Sequence, residues 1–150
     1  MDDKEFKKTL NKVNALPCVF EKAILALHGR CSFAVRRYIG EREAVGCGSE
    51  AAQNLCLAWL SLLRDKAAFA LGESHSSGKL AHAKAMKLQV GGLRGLNALI
   101  NEDQGPVEDI HALIHAAHKE YQGLEQVPYS RLMPVIQSFQ GRQKRRRQED

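Results

Sequence analysis

SEAAQNLCLAWLSLLRDKAAFAL, residues 49–71, is the stretch whose reading decides the fold. Ser49 is a natural N-cap, Glu50 falls in the first turn, and neither Gly nor Pro interrupts the run before Gly72. Leu55, Trp59, Leu62 and Leu63 share one helical face, and Cys56, Leu57, Ala58 and Leu60 widen the apolar arc beyond a single stripe. An arc that wide predicts a helix buried on almost every side, a central strut for the rest of the chain. Its uncharged part is too short, and Arg64, Asp65 and Lys66 follow too soon, for a membrane span.

Working outward toward the N-terminus, Phe6, Leu10 and Val13 predict a short amphipathic helix within residues 2–16. Pro17 opens a second predicted helix, 17–28, with Val19, Phe20, Ala23, Ile24 and Leu27 inward and Gly29 as its end. Ser32 reads as the N-cap of a third, reaching about Glu43, with Phe33, Val35 and Ile39 set among Arg36, Arg37 and Arg42. GCGS, 46–49, is a turn into the strut.

Toward the C-terminus, GESHSSG (72–78) reads as a polar loop. A helix over 79–90 offers Leu80, Ala83, Met86 and Leu88 for packing and breaks at Gly91-Gly92. Leu93, Leu96 and Ile100 mark a short helix, and a longer one covers 107–124 with Ile110, Leu113, Ile114, Ala117 and Tyr121 buried. The last runs from about Tyr129 past Leu132, Val135, Ile136 and Phe139, with a kink expected at Pro134. No segment sustains period-two alternation, so the expected fold is all-α, a compact bundle of about six to seven helices. Residues 1–141 read as a single helical domain with a lobe boundary expected, if anywhere, near 72–78, and 142–150 as a basic tail.

With 44% apolar residues in 150, the chain can bury a core without covalent staples. MDDKEFKKTL has no targeting character, which predicts a cytoplasmic protein. Cys18, Cys31, Cys47 and Cys56 form no C-x-x-C pair and read as reduced thiols acting as small apolar residues. The formal charge is +5, but beyond Gly141 the tail holds five cations and two anions, leaving 17 against 15 in the body. A nearly neutral body with local basic clusters fits a surface that meets a polyanion on selected faces.

His111, His115 and His118, with Glu108 in E-x-x-H spacing, place three imidazoles along one side of a helix. A di-iron type of bundle site also needs carboxylates on other helices, and the sequence supplies no matching set, so no metal and no cofactor are expected. A site using His28 and Cys31 lacks the spacing of any zinc module. Phosphate loops, G-x-S-x-G and H-E-x-x-H are missing, so the chain is not read as an enzyme. The basic clusters remain: His28, Arg30, Arg36 and Arg37 upstream, Lys79, Lys84 and Lys87 in a second group, Arg94 and Arg131 singly, and Arg142, Lys144 and Arg145 in the tail. They are either nucleic-acid contacts or solvated faces. A helix-turn-helix over 21–39 is disfavoured by Leu25, which is bulky where that motif takes a small residue.

The order of segments LALHGRCSFAVRRYIGER (25–42), SSGKLAHAKAM (76–86), GLRGLNALINED (92–103), DIHALIHAAH (109–118) and VPYSRLMPVIQSFQGRQKRR (127–146) resembles the CasB family, the small subunit of the type I-E CRISPR Cascade complex. It is also compatible with the small subunit of a related subtype. The family usually carries tryptophans in its last helix and a longer C-terminus, where this chain has Phe139 and RQKRRRQED. The resemblance implies a non-catalytic subunit of an RNA-guided surveillance complex in antiviral defence. It implies contact with CRISPR RNA and target DNA, with backbone and large subunits, and with a second copy of itself, away from any membrane. Such a subunit holds the R-loop open through phosphate contacts. By the family's pattern, Arg36 and Arg37 lead, followed by Lys79, Arg94, Arg142 and Lys144, with Arg30, Arg131 and Arg145 as further contacts. Two other readings stay open: a free-standing helical DNA- or RNA-binding regulator, and a metal-binding bundle using His111, His115 and His118.

Overall fold

A computed structural model of the chain describes residues 3–73 and 78–140. The tail from 142, and most of the loop read as a lobe boundary, lie outside the described residues.

The strut forms as helix α3, Glu50–Ala67, and its cap is the one expected. Ser49 is extended at φ −142°, ψ 121°, and its Oγ accepts the Ala52 N–H at 3.2 Å. Ala52, Cys56, Trp59, Leu63 and Ala67 recur every three or four residues and are buried. The opposite side is open, with Leu57 half in solvent and Ala58 exposed, so the helix is not buried all round. A wide apolar arc is a necessary condition for full burial, and here the other elements cover only one side of it.

The all-α expectation is overturned by a β-hairpin where the third helix was predicted: the structure is 57% helical with, among the described residues, one two-stranded antiparallel sheet, a mixed α/β fold. Strand β1, Ala34–Ile39, pairs with β2, Arg42–Cys47, in the register Ala34↔Cys47 to Ile39↔Arg42. Gly40 and Glu41 make the two-residue loop, and only Gly40 has positive φ (+62°), as a type II′ turn requires at its first central position. Val35, Tyr38, Ile39 and Val45 are good strand formers, and a helix through Gly40 would lose that turn. Alternation is hidden because β1 is a free edge exposing Arg36, Arg37 and Tyr38 in succession, while Ala44, Val45 and Gly46 of β2 are buried in succession. The other edge of β2 is taken by residues 16–18, where Cys18 N donates to Val45 O at 2.9 Å and Cys47 N to Leu16 O at 2.7 Å.

Around this pair stand α1 (Asp3–Val13) and α2 (Glu21–Leu25). The second helix is shorter than expected because Leu27 turns left-handed at φ +63°. Helices α4 (His82–Met86) and α5 (Gly92–Asn101) are joined by a π-helical turn, Lys87–Gly91, without leaving right-handed geometry. Gly91-Gly92 therefore does not break the helix. A Cβ on Gly91 would lie 2.6 Å from Ile136 Cα, one on Gly92 would run into Leu63 Cδ2, and one on Gly95 would meet Leu132 Cγ at 3.1 Å. The glycines are a groove into which two other helices press.

Helix α6, Ile110–Glu120, is capped by Asp109, and α7, Met133–Ser138, carries Pro134 in its first turn, where no N–H is needed, so the proline starts the helix instead of kinking it. One contiguous core runs from Phe20 to Phe139, with Trp59, Leu63, Leu93, Leu96, Ile114, Leu132 and Ile136 all fully enclosed. Among the described residues no helix is long and apolar enough to cross a membrane.

Candidate functional site

The basic residues singled out from sequence do not form one surface. Arg36 and Arg37 sit together on β1, both exposed. Adjacent strand residues point to opposite faces, so Arg36 shares its face with Tyr38 and Arg37 takes the other. Arg36 Nη1 is ion-paired to Glu43 Oε1 across the hairpin. Arg37 has no ion pair among the described residues. Arg30 is exposed in the segment before β1, where its backbone bonds to Val107 O and Ile110 N tie that segment to the start of α6.

The second group disperses. Lys79 is exposed, but Lys84 is half-buried and pairs with Glu73 at 2.9 Å, and Lys87 reaches Gln137 O at 3.4 Å. Arg131 is exposed on a 3-10 turn distant in sequence from the hairpin. Arg94 is turned inward: its Nη2 lies 3.1 Å from His28 Nδ1 and its guanidinium 5.5 Å from the Phe139 ring. Burial, and then the Arg94 charge, hold the His28 pKa below its ordinary value. Arg94 is thus a packing group against α7, not a free phosphate contact. Arg142, Lys144 and Arg145 lie outside the described residues.

The sequence reading passed over the lysines of α1. Arg42 stacks 4.5 Å over the Phe6 ring and approaches Asp3 at 3.6 Å, which fastens α1 beside the hairpin. Arg42 stands opposite Ile39 and so lies on the Arg37 face of the hairpin, and beside these two arginines α1 exposes Lys4, Lys7, Lys8 and Lys12 together with Asp3 and Glu5. Tyr38, 68% exposed, stands with Arg36 on the opposite face of the hairpin. The available signal was the amphipathic α1 itself, whose polar side is lysine-rich.

The histidines of α6 do not gather. His111 is half-buried and edge-on to Phe33 at 4.8 Å, His115 is 6.0 Å from it ring to ring, and His115 and His118 are exposed. Among the described residues no three His, Cys, Asp or Glu side chains are placed to hold a single metal ion, which removes the support for the histidine metal bundle.

The cysteines, read as scattered small apolar residues, instead converge. All four line one cleft with Phe20, Phe33, Ala52 and His111. Burial pushes the Cys18 thiol up to about 11 and the Cys56 thiol up to about 12, with the neighbouring thiols adding to both, and burial, with Asp109 adding, raises Cys31. Beside them, burial works against the Asp109 carboxylate, but hydrogen bonds from Ser32, Ala112 and the Cys31 thiol outweigh it and hold the group below its usual range.

Compared with family models, with curated proteins and with solved structures, the chain matches none.

Proposed function

We propose that the chain is a non-catalytic module that grips the backbone of nucleic acid through the exposed edge strand of the hairpin and the adjoining α1, without reading sequence. The observation that carries this is the exposed edge strand, on which Arg36 and Tyr38 share one face while Arg37 shares the other with Arg42, the face that adjoins the lysine-bearing α1. Guanidinium groups meet phosphate oxygens bidentately, and Glu43 orients the Arg36 guanidinium while leaving most of its five donors free. An exposed tyrosine among cations offers a base a stacking surface, which every base can use. Such contacts give salt-dependent, sequence-blind binding.

Membership of a Cascade-type complex, with CRISPR RNA, target DNA, backbone and large subunits and a second copy as partners, is a narrower form of the same proposal. It is supported by the order of segments after residue 76. Its first segment, 25–42, places the paired Arg on strand β1 of the hairpin and not on a helix, and the chain matches no family model.

The test is strand binding by the purified chain beside Arg36→Ser/Arg37→Ser/Tyr38→Ser, all exposed positions, on unrelated single-stranded sequences. Equal affinity across sequences, with about a tenfold or greater loss in the triple variant, is expected, each base–aromatic stack alone being worth about 1–3 kcal/mol. A marked sequence preference would favour the free-standing regulator, and no binding at low salt would refute the reading. Co-purification with a tagged Cascade complex would decide the narrower form.

A further inference from the structure

A groove of about 450 Å³ runs between the end of α5, the loop that follows it and the start of α6. Three carboxylates line it, those of Asp103, Glu108 and Asp109, and among the described residues no lysine, arginine or histidine does. None of the three is in an ion pair among the described residues. Hydrogen bonds from Ser32 and Ala112 help to keep Asp109 ionised. The start of α6 adds about half a positive charge, which offsets only a small part of three negative ones.

Acids on a surface are by themselves a solvated face, and two other observations point to something that fills this groove. The first is Asn97, which lines it while only 4% exposed. A carboxamide oxygen accepts two hydrogen bonds, and Asn97 Oδ1 takes one, from Asn101 Nδ2 at 2.8 Å. Among the described residues no second donor reaches it. A buried acceptor left half-used beside three carboxylates suits an incoming N–H donor that carries positive charge. Val107 and Leu113, both buried, give the groove an apolar wall along which the methylene stem of a long cationic side chain can lie.

The second is the place where α7 delivers the chain. Phe139 stands edge-on to His28 at 5.5 Å and lies 5.5 Å from the Arg94 guanidinium. Both neighbours lead to the groove. The His28 carbonyl accepts the Val107 N–H at 3.3 Å, and Asn97 and Asn101 follow Arg94 at i+3 and i+7 on one face of α5. A rise of about 1.5 Å per residue puts Asn101 about 10 Å along the helix from Arg94. Extended chain covers about 3.3 Å per residue, so residues 140–147 can span the groove with length to spare. Residues 141–147, which lie outside the described residues, read GRQKRRR, with five cations and no acid.

We propose that this groove is the docking site of the chain's own basic segment, residues 142–147, whose cationic side chains pair with Asp103, Glu108 and Asp109. A guanidinium can give two parallel N–H bonds to one carboxylate and still has a donor for Asn97 Oδ1. Because the segment is tethered to α7, docking is intramolecular and proceeds at an effective concentration that a separate peptide does not reach. Docked, the segment is withdrawn from any other polyanion, which must compete with the groove for the same cations. The groove shares no residue with α1 or the hairpin, so the proposal stands or falls separately from strand binding on that face.

The test is trypsin cleavage within residues 142–147 of the full chain, timed against a synthetic peptide of residues 141–150, since cleavage tracks the fraction of time the segment is undocked. Exposed ion pairs are worth up to about fivefold each, so two or three of them should slow cleavage by about fivefold or more at low salt. Asp103→Asn/Glu108→Gln, both at exposed positions, should bring the rate to that of the peptide. The wild type should reach the same rate near 1 M salt, where the screening length falls to about 3 Å. A second readout is carbodiimide coupling, which should join Lys144 to Asp103 or Glu108 within one chain, mapped by mass spectrometry. Wild-type cleavage as fast as the peptide's at low salt would overturn the proposal. So would protection that survives in the double variant, or coupling of Lys144 only to acids elsewhere on the body. Protection that disappears on dilution would overturn it too, because the groove would then be filled by a second copy.

Discussion

Gly40 and the pair Gly91-Gly92 carry the same residue type to opposite ends. Gly40 reverses the chain, because it alone in its loop takes a positive φ, and the strands on either side form one sheet. Gly91 and Gly92 keep right-handed geometry and let the helix run on, while Ile136 and Leu63 press into the space a Cβ would fill. Sequence alone reads the first as part of a helix and the second as a helix end, and both readings fail. The difference is tertiary: a glycine breaks a helix when nothing is gained by its smallness, and sustains one when a neighbouring backbone needs the room.

The largest expected effect breaks the second half of that comparison. Gly91→Ala places a methyl against the Ile136 backbone, which cannot swing aside, and should cost about 3 kcal/mol, near the top of the range for overpacking. Denaturant unfolding reads it; a loss below about 1 kcal/mol would mean that α7 shifts freely. Gly40→Ala has open space around its Cβ but a left-handed backbone, so its expected cost is smaller, about 1–2 kcal/mol, all of it conformational. Gly40→Asn, which tolerates that conformation better, should recover part of the loss in the same assay. Equal costs for Ala and Asn would argue against the positive φ.

Ser49→Ala should cost about 1 kcal/mol by freeing the Ala52 N–H at the start of α3, without touching either glycine site. The smallest effect is one of pH. His28 has its pKa lowered on folding, by burial first and by Arg94 second. The unfolded chain therefore takes up a proton near pH 6.5 while the folded chain resists, so stability is complete above about pH 6.5 and declines as pH falls below it. In His28→Gln this slope should flatten in urea titrations compared between pH 5 and 7.5; an unchanged slope would remove His28 as its source.

What was legible follows from how local the cause is. Ser49 as a cap, and Trp59 and Leu63 on the buried face of α3, rest on neighbours within a turn or two and came through. The hairpin did not, because Arg36, Arg37 and Tyr38 lie on a free edge and Ala44, Val45 and Gly46 under cover on both sides, so neither strand alternates. Period two marks a half-buried strand and is blind to these two kinds. Of the candidate site, the Arg36–Arg37 pair was visible as charge, but its union with the lysines of α1 depends on Arg42 packing over Phe6. The inward turn of Arg94 toward His28 and Phe139 was equally out of sight. Least legible was the meeting of four cysteines with no motif spacing, since four separate segments supply them.

The central functional claim is that exposed cations of the hairpin face bind phosphates, and the salt dependence of strand binding tests it most directly. Affinity for a single strand of arbitrary sequence should fall linearly on logarithmic axes as salt rises, and Arg37→Ser should lower the slope by about 1, one phosphate contact fewer. An affinity indifferent to salt, or a slope unchanged by removing Arg37, would contradict the account.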